Sequence, residues 1–474
     1  DIAVDHFRMG AVPVRVDGLM PFLRDGQIAV VLQQSADPQK RLRHQHFFNG
    51  LDAGGAILIE GARRVGKSTL VTEFAKQEYK SCIIIDFNNV TDELLTWFDG
   101  LVDLDYFFLR LQTYFKVSLH TRQSVIVFDE VQKCPKARQA IKYLVADGRY
   151  DYIETGSLIS IHQNTKDITI PSEEESIEMF PMDFEEFLWA LGHNDVVPLL
   201  KQFLEKRLPL SAAHLEYQRL LRTYMLVGGM PQAVLAYLQT NNFQEVDSIK
   251  RQIVKLYEND FIKLDPSKQL SKMFLSIPAM LSKNQSRYTP FPVLGRTSAE
   301  ELMNLLITLE DSKVINIAYH ADDPNVGFAL NADMNRYKLF IGDTGLFVTL
   351  CFWDKDYTEN VIYQKLLSDK LQANLGYIYE NLVAQMLRAS GNKLFYFTFP
   401  KDEKHNYEID FLLSRGNKIL PIEVKSGNYR TFDSLTAFAS KFSSRIAKSY
   451  ILHTKDLRKE EQILCVPMYF ASII

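Results

Sequence analysis

At 474 residues the chain is too long for one ordinary core, and two to four domains are expected. An apolar share of 46% beside 24% charged residues describes a globular chain and excludes a disordered or fibrous one. No run approaches the roughly 20 apolar residues that a bilayer span needs, and nothing reads as a signal peptide, so no membrane partner is expected. Four widely spaced cysteines (Cys82, Cys134, Cys351, Cys465) without CxxC spacing point to a reducing cytoplasm and away from disulfides or zinc. Asp1 in place of a methionine suggests a trimmed start. The net charge of −4 divides unevenly: from Lys370 onward 15 Lys and Arg face 10 Asp and Glu, so a modestly basic C-terminal part follows an acidic body.

In chain order, residues 1–50 read as a poorly patterned leader containing the basic stretch Lys40-Arg41-Leu42-Arg43-His44. Ala56-Ile-Leu-Ile-Glu60 reads as a buried strand, and a helical pattern follows from Ser68. Cys82-Ile-Ile-Ile-Asp86, Val125-Ile-Val-Phe-Asp129 and Tyr152-Ile-Glu-Thr155 are further short strands between helices, which predicts a parallel α/β sheet over 51–190. The acidic tract 173–178, followed by Phe180-Pro-Met-Asp-Phe184, is expected to close that domain. Residues 191–265 read as a helical lid, broken at Gly228-Gly229-Met-Pro231. Over 266–350 the order helix, helix, strand (314–319), strand (337–341) predicts a winged-helix domain. Leu302, Leu305, Leu306 and Leu309 line one face of the helix before the strands. Residues 351–474 return to mixed α/β.

Gly61-Ala62-Arg63-Arg64-Val65-Gly66-Lys67-Ser68 is a complete phosphate-binding loop, placed after a strand and before a helix. Its glycines let backbone N–H groups curl round a phosphate at the positive end of the following helix. Lys67 would neutralise the β- and γ-phosphates, Ser68 would bind Mg²⁺, and Thr69 continues the loop into the helix. About 60 residues later, Asp129 and Glu130 end a second buried strand. Asp129 would hold the Mg²⁺ shell, and Glu130 would orient and deprotonate the attacking water. Thr155 and Ser157 end the next strand and read either as γ-phosphate sensors or as a plain turn.

These segments, with Phe128-Asp-Glu-Val-Gln132, Thr155-Gly-Ser157, Pro181-Met-Asp-Phe-Glu-Glu-Phe-Leu188, Tyr224-Met-Leu-Val-Gly-Gly-Met-Pro231 and Asp343-Thr-Gly-Leu346, resemble the prokaryotic AAA-type ATPases that carry a C-terminal domain of unknown function. The resemblance runs from Gly54 onward and implies ATP and Mg²⁺ as cofactors. That family usually has an arginine just before its Pro-Leu-Ser-Phe-like motif. Here Glu174-Glu-Ser-Ile-Glu178 stands there, so no arginine finger can be named.

Near the C-terminus, Glu408-Ile-Asp410-Phe-Leu-Leu413 and Lys418-Ile-Leu-Pro-Ile-Glu423-Val-Lys425 read as a hairpin round Arg415-Gly-Asn417. A Gly416-Asn417 turn sets Asp410 opposite Glu423, with Lys425 on the same face and Ile409, Phe411, Ile422 and Val424 on the other. Two carboxylates and an amine would then converge as in a Mg²⁺-dependent phosphodiesterase. The cluster resembles the PD-(D/E)xK nuclease fold, in which Glu380 takes the place of the helical acid. That implies a restriction-endonuclease-like domain with Glu380, Asp410 and Glu423 as metal ligands and Lys425 as a catalytic group.

Two functions are expected from these features. One is an ATP-dependent enzyme acting on DNA or RNA. The other is a nucleotide-controlled switch whose C-terminal fold binds a partner without cleaving it. The helix 298–309, with Glu300, Glu301, Glu310 and Asp311 on or beside it, is ill suited to phosphate contact, so a protein partner is expected at the winged helix.

Overall fold

A computed structural model describes residues 55–157, 173–283, 285–354, 358–368, 376–427, 432–460 and 463–474. The leader 1–50, with its basic stretch, lies outside the described residues.

The first layer runs β1 (Ala56–Gly61), α1 (Lys67–Glu78), β2 (Ser81–Asp86), α2 (Asp92–Thr96), α3 (Leu104–Phe115), β3 (Ser124–Asp129), α4 (Pro135–Asp147), β4 (Asp151–Gly156) and β5 (Glu174–Met179). The strands form one parallel sheet in the order β2-β3-β4-β1-β5. Both faces are covered, which is why β1, β2 and β3 read as apolar runs rather than alternating. Ala56, Leu58, Ile126 and Phe128 pack with Leu111 of α3 and Ile141 of α4 on one face. Ile57, Ile59, Val125, Val127 and Ile153 pack against Val71 and Ala75 of α1 on the other.

The acidic tract at the end of this domain is β5, an edge strand paired with β1 from Ala56↔Glu174 to Gly61↔Met179. Its charges are tolerated because Arg138 of α4 donates two bonds to Glu174, at 2.9 and 2.6 Å. Ile177 and Met179 supply the apolar contacts.

Helices follow: α5 (Phe184–Ala190), α6 (Val196–Lys206), α7 (Ala212–Val227), α8 (Pro231–Thr240) and α9 (Phe243–Leu264). Asp183 and Glu186 form a capping box that starts α5 sharply after Pro181. Next come α10 (Gln269–Leu281), α11 (Phe291–Leu294), α12 (Ala299–Asp311), β6 (Ile315–Ala321), β7 (Ala332–Ile341), α13 (Thr344–Cys351), α14 (Asn360–Leu367) and α15 (Gly376–Ala389). Then follow β8 (Leu394–Pro400), β9 (Asn406–Arg415), β10 (Lys418–Lys425), α16 (Asp433–Phe442), β11 (Ser449–His453), β12 (Arg458–Glu460) and β13 (Ile463–Pro467).

The β6–β7 hairpin does not stop at a border near residue 350. β6 pairs parallel with β8, so one eight-stranded sheet runs β12-β13-β11-β10-β9-β8-β6-β7.

The β9–β10 register matches the Gly416-Asn417 turn, with Lys418↔Arg415 and Ile422↔Phe411. The expectation that Ile409 and Phe411 share a face is wrong. The β8–β9 register shifts between Phe395↔Leu412 and Phe397↔Ile409, leaving Asp410 and Phe411 together opposite Tyr396. Such a bulge breaks strict alternation. Ile409 packs with Leu412 and Phe438 under α16, whereas Phe411 packs against Phe340 of β7, ring centroids 5.8 Å apart.

Candidate functional site

Between β1 and α1 the loop folds as its residues require. A Cβ on Gly61 would fall 2.3 Å from the Met179 carbonyl oxygen, so only glycine lets β5 approach there. Gly66 caps α1 with φ 101°, in the left-handed region. Ala62 and Val65 are rooted in the core of the helical region, while Arg63 and Arg64 are exposed. Lys67 is buried and donates to the Gly61 and Ala62 carbonyls at 3.0 and 2.9 Å. Burial pushes its ammonium down to about 8; Glu130 and Asp129 oppose that shift and Arg63 adds to it.

Ser68 Oγ donates to Asp129 Oδ1 at 2.8 Å, and Thr155 Oγ1 donates to the same oxygen. The Glu130 N–H donates to Thr155 Oγ1 at 3.2 Å, which ties together the ends of β3 and β4. Glu130 itself has a left-handed backbone, φ 57°, an unusual conformation for a residue with a side chain. Gln132 Nε2 donates to Glu130 Oε2 at 2.6 Å. Glu130, Gln132, Ser157 and Arg63, together with Tyr257, Asp260 and Lys263 of α9, line a cleft of about 370 Å³. Sequence reading gave no role to Gln132, Tyr257 or Asp260. Gln132 stood beside the acidic pair, but nothing in the pattern of α9 marks it as a wall of this cleft.

At the other end, Glu380 of α15 and Glu408 and Asp410 of β9 each offer an oxygen within 4.8 Å of the others. The bulge at Asp410 turns it toward α15. Lys338 of β7, also buried, donates to Glu380 Oε1 at 2.7 Å and to Glu408 Oε1 at 2.5 Å. Against the cost of burial, Glu380, Glu408 and Asp410 hold the Lys338 ammonium well above its ordinary range. Burial, Glu380 and Glu408 push Asp410 up to about 8, outweighing Lys338. The Val424 N–H donates to Asp410 Oδ2 at 2.7 Å. Glu423 and Lys425 pair with each other, Nζ to Oε1 at 2.5 Å. Glu423 is raised by its burial, and among the described residues its buried Oε2 has no hydrogen-bond partner. The three-oxygen cluster thus contains Glu408, not Glu423, and is held by Lys338, which carries no motif and lies 70 residues from Glu408.

The two ends meet through α15. Arg388 Nη2 donates to Glu178 Oε2 of β5 at 2.5 Å. Gln385 Nε2 donates to the Tyr224 hydroxyl at 2.9 Å, which donates to the Met182 carbonyl at 2.7 Å. Asn381 pairs with both backbone groups of Ile341, at 2.8 and 3.1 Å. Glu380, one residue earlier, belongs to the carboxylate cluster.

Among protein families, an AAA domain matches residues 53–188, and two domains of unknown function, DUF8612 and DUF4143, match residues 218–357 and 375–470. No curated protein matches the chain. Among solved structures, the chain is similar to the Walker-type ATPase PABY2304 of Pyrococcus abyssi, at 17% identity and a TM-score of 0.38, over 69% of this chain and 95% of that one. It is also similar to the ORC1 protein of Aeropyrum pernix, solved in complex with DNA, at 11% identity and a TM-score of 0.26, over 76% and 95%. A third is Cdc6p from Pyrobaculum aerophilum, at 14% identity and a TM-score of 0.25, over 77% and 98%. From the AAA family match over 53–188 and the geometry of the loop, the chain carries an N-terminal AAA-type P-loop domain that binds and hydrolyses ATP, followed by a distinct C-terminal domain without an assigned function.

Proposed function

We propose that this ATPase is a nucleotide-controlled switch, in which ATP occupancy changes the contact that the C-terminal part offers to a partner. The observation that carries this reading is α15, which binds β5 beside the phosphate loop through Arg388 and the carboxylate cluster through Glu380. A shift of β5 against the loop would move both ends of one helix.

In this reading the backbone from Gly61 to Thr69 cradles the phosphates and Lys67 neutralises them. Ser68 and Asp129, with their paired oxygens, suit Mg²⁺, a hard cation that takes oxygen ligands. Ser68 and Asp129 would hold that ion, whose charge would offset that of the terminal phosphates. Glu130 orients and deprotonates water while Gln132 fixes its carboxylate, and Thr155 holds Asp129 in place. The region 266–350 serves as a winged-helix-like body that lends β6 and β7 to the C-terminal sheet. Its acidic α12 suits a protein partner better than a nucleic-acid backbone.

A second reading has one specific observation in its favour. Glu380, Glu408 and Asp410 form an all-oxygen set suited to a hard divalent cation, with Lys425 and Glu423, whose Oε2 has no partner among the described residues, close by. In a PD-(D/E)xK-like domain such a set would serve phosphodiester cleavage of DNA or RNA, the metal supplying Lewis-acid activation of water. Lys338 already supplies positive charge there, which favours the switch.

Incubating single- and double-stranded DNA and RNA with Mg²⁺ or Mn²⁺, with and without ATP, separates the readings. Turnover of ATP with every substrate left intact is the expected result. Cleavage that disappears in Asp410→Asn and Glu408→Gln would displace the switch in favour of the second reading.

A further inference from the structure

Sequence reading finds no arginine finger, yet the cleft contains a guanidinium in a telling position. Arg63 lies inside the phosphate loop, and its Nη1 is 3.0 Å from Asp260 Oδ2 of α9. Its carbonyl accepts from the Tyr257 hydroxyl at 2.7 Å. Tyr257 and Asp260 are three apart, so one face of α9 grips both the backbone and the side chain of the same loop residue. The two grips differ in kind. Tyr257 is buried and fixes the backbone. The ion pair is half exposed, with side chains 46% and 29% accessible, and an exposed pair holds its partners by at most about a factor of five. Asp260 is also shared with Lys263 at 3.5 Å. Arg63 is therefore anchored at its root and weakly held at its tip, in a cleft that Glu130 also lines.

We propose that Arg63 serves as an intrachain arginine finger, exchanging Asp260 for the γ-phosphate when ATP enters. A planar guanidinium donates two parallel bonds to phosphate oxygens as readily as to a carboxylate. The triphosphate brings more charge than one carboxylate, and Glu130, which would hold the attacking water, lines the same cleft. In the transition state the charge on the γ-phosphoryl oxygens would be stabilised by Arg63 and Lys67 from the same loop. No proton leaves Arg63, and the proton of the attacking water goes to Glu130. With ADP bound the γ-phosphate is gone, and Arg63 returns to Asp260, so the grip of α9 on the loop reports which nucleotide is present. Asp260 acts as the resting partner and as a brake.

The inference rests on ATP binding at the loop and not on the switch reading. Its test therefore needs only ATP hydrolysis and nucleotide affinity in the full chain. Arg63→Ala should lower kcat by about 10²-fold, the cost of removing one aimed donor from a transition state. It should weaken ATP more than ADP, and Arg63→Lys should recover only part of the rate. Asp260→Asn should act in the opposite direction, raising kcat or ATP affinity by up to about five-fold while ADP affinity stays put. Asp260→Asn placed on Arg63→Ala should add nothing. An ordinary structural ion pair predicts that the two single variants fall together, and that outcome would overturn the proposal. So would an Arg63→Ala variant that hydrolyses ATP at the parent rate. Should Arg63→Ala fail to fold, Asp260→Asn alone decides, since a slower enzyme there contradicts a braking role.

Discussion

The backbone N–H of Gly229 donates to Asp343 Oδ2 at 2.5 Å, joining two motifs 114 residues apart. The other oxygen of Asp343 accepts from the Leu346 N–H at 2.9 Å and caps α13. On the far side of the same glycine, its carbonyl accepts from the Met182 N–H at 2.7 Å. Gly-Gly-Met-Pro and Asp-Thr-Gly-Leu are thus two halves of a clasp that closes the ATPase domain onto the helices and sheet behind it.

Opening this clasp should be costly. A Cβ on Gly229 would lie 2.0 Å from the Met182 carbonyl oxygen, a backbone atom with little room to move. Gly229→Ala is expected to destabilise the protein by at least about 1–3 kcal/mol. Asp343→Ala leaves buried N–H groups unpaired and should cost about 1–3 kcal/mol for each. Urea unfolding followed by tryptophan fluorescence checks both, and a midpoint unchanged from the parent protein would contradict the clasp.

Stability should fall as pH rises through the neutral range, because of Asp410. Its folded-state value is raised from 3.8 to about 8, so between those limits the folded protein keeps a proton that the unfolded chain has lost. The stabilising effect is complete below about 4 and is lost as pH climbs through about 8. Asp410→Asn removes this term, so its unfolding midpoint should fall less between pH 5 and pH 8.5 than that of the parent protein. Parallel curves for the two proteins would show that Asp410 carries no such proton.

Lys338 should prove necessary to the carboxylate cluster. Removing a buried ammonium from two carboxylates costs about 3–5 kcal/mol, so Lys338→Met is expected to lower the melting temperature markedly. If the three oxygens suit a hard cation, Mn²⁺ should restore part of that loss in Lys338→Met and none in Lys338→Met/Glu408→Gln. Differential scanning fluorimetry with and without Mn²⁺ gives the answer; equal responses in both variants would rule out Glu408 as a ligand.

At the phosphate loop, Lys67→Ala should abolish ATP binding measured by titration calorimetry. Glu130→Gln should keep that binding and lose about 10²-fold or more in turnover. Gln132→Ala should lower kcat several-fold without weakening ATP, because Gln132 donates to Glu130. Loss of ATP affinity in Gln132→Ala would point instead to a nucleotide contact.

What the sequence disclosed followed the range of the interactions. The loop from Gly61 to Ser68 and the strand ending at Asp129 were legible because glycine spacing and apolar runs are local consequences of local geometry. The β9–β10 register was legible for the same reason, since two turn residues set it. The bulge at Asp410 was not, because it depends on how β8 meets β9, and no residue type demands it. The acidic β5 was hidden because its strand character comes from β1 and from Arg138, 36 residues before Glu174. Lys338 and Asp260 carry no motif, and each gains its place from a partner far along the chain, Glu408 for one and Arg63 for the other.

Nucleotide state at the loop is expected to reach α15. The measurement is hydrogen exchange over Gly376–Ala389 in the Glu130→Gln protein with saturating ATP and with ADP, repeated with Gln385→Ala and Arg388→Ala added. Protection in α15 should differ between ATP and ADP, and the difference should shrink when the two contacts are removed. Identical exchange with ATP and ADP, in a protein shown to bind both, would contradict it.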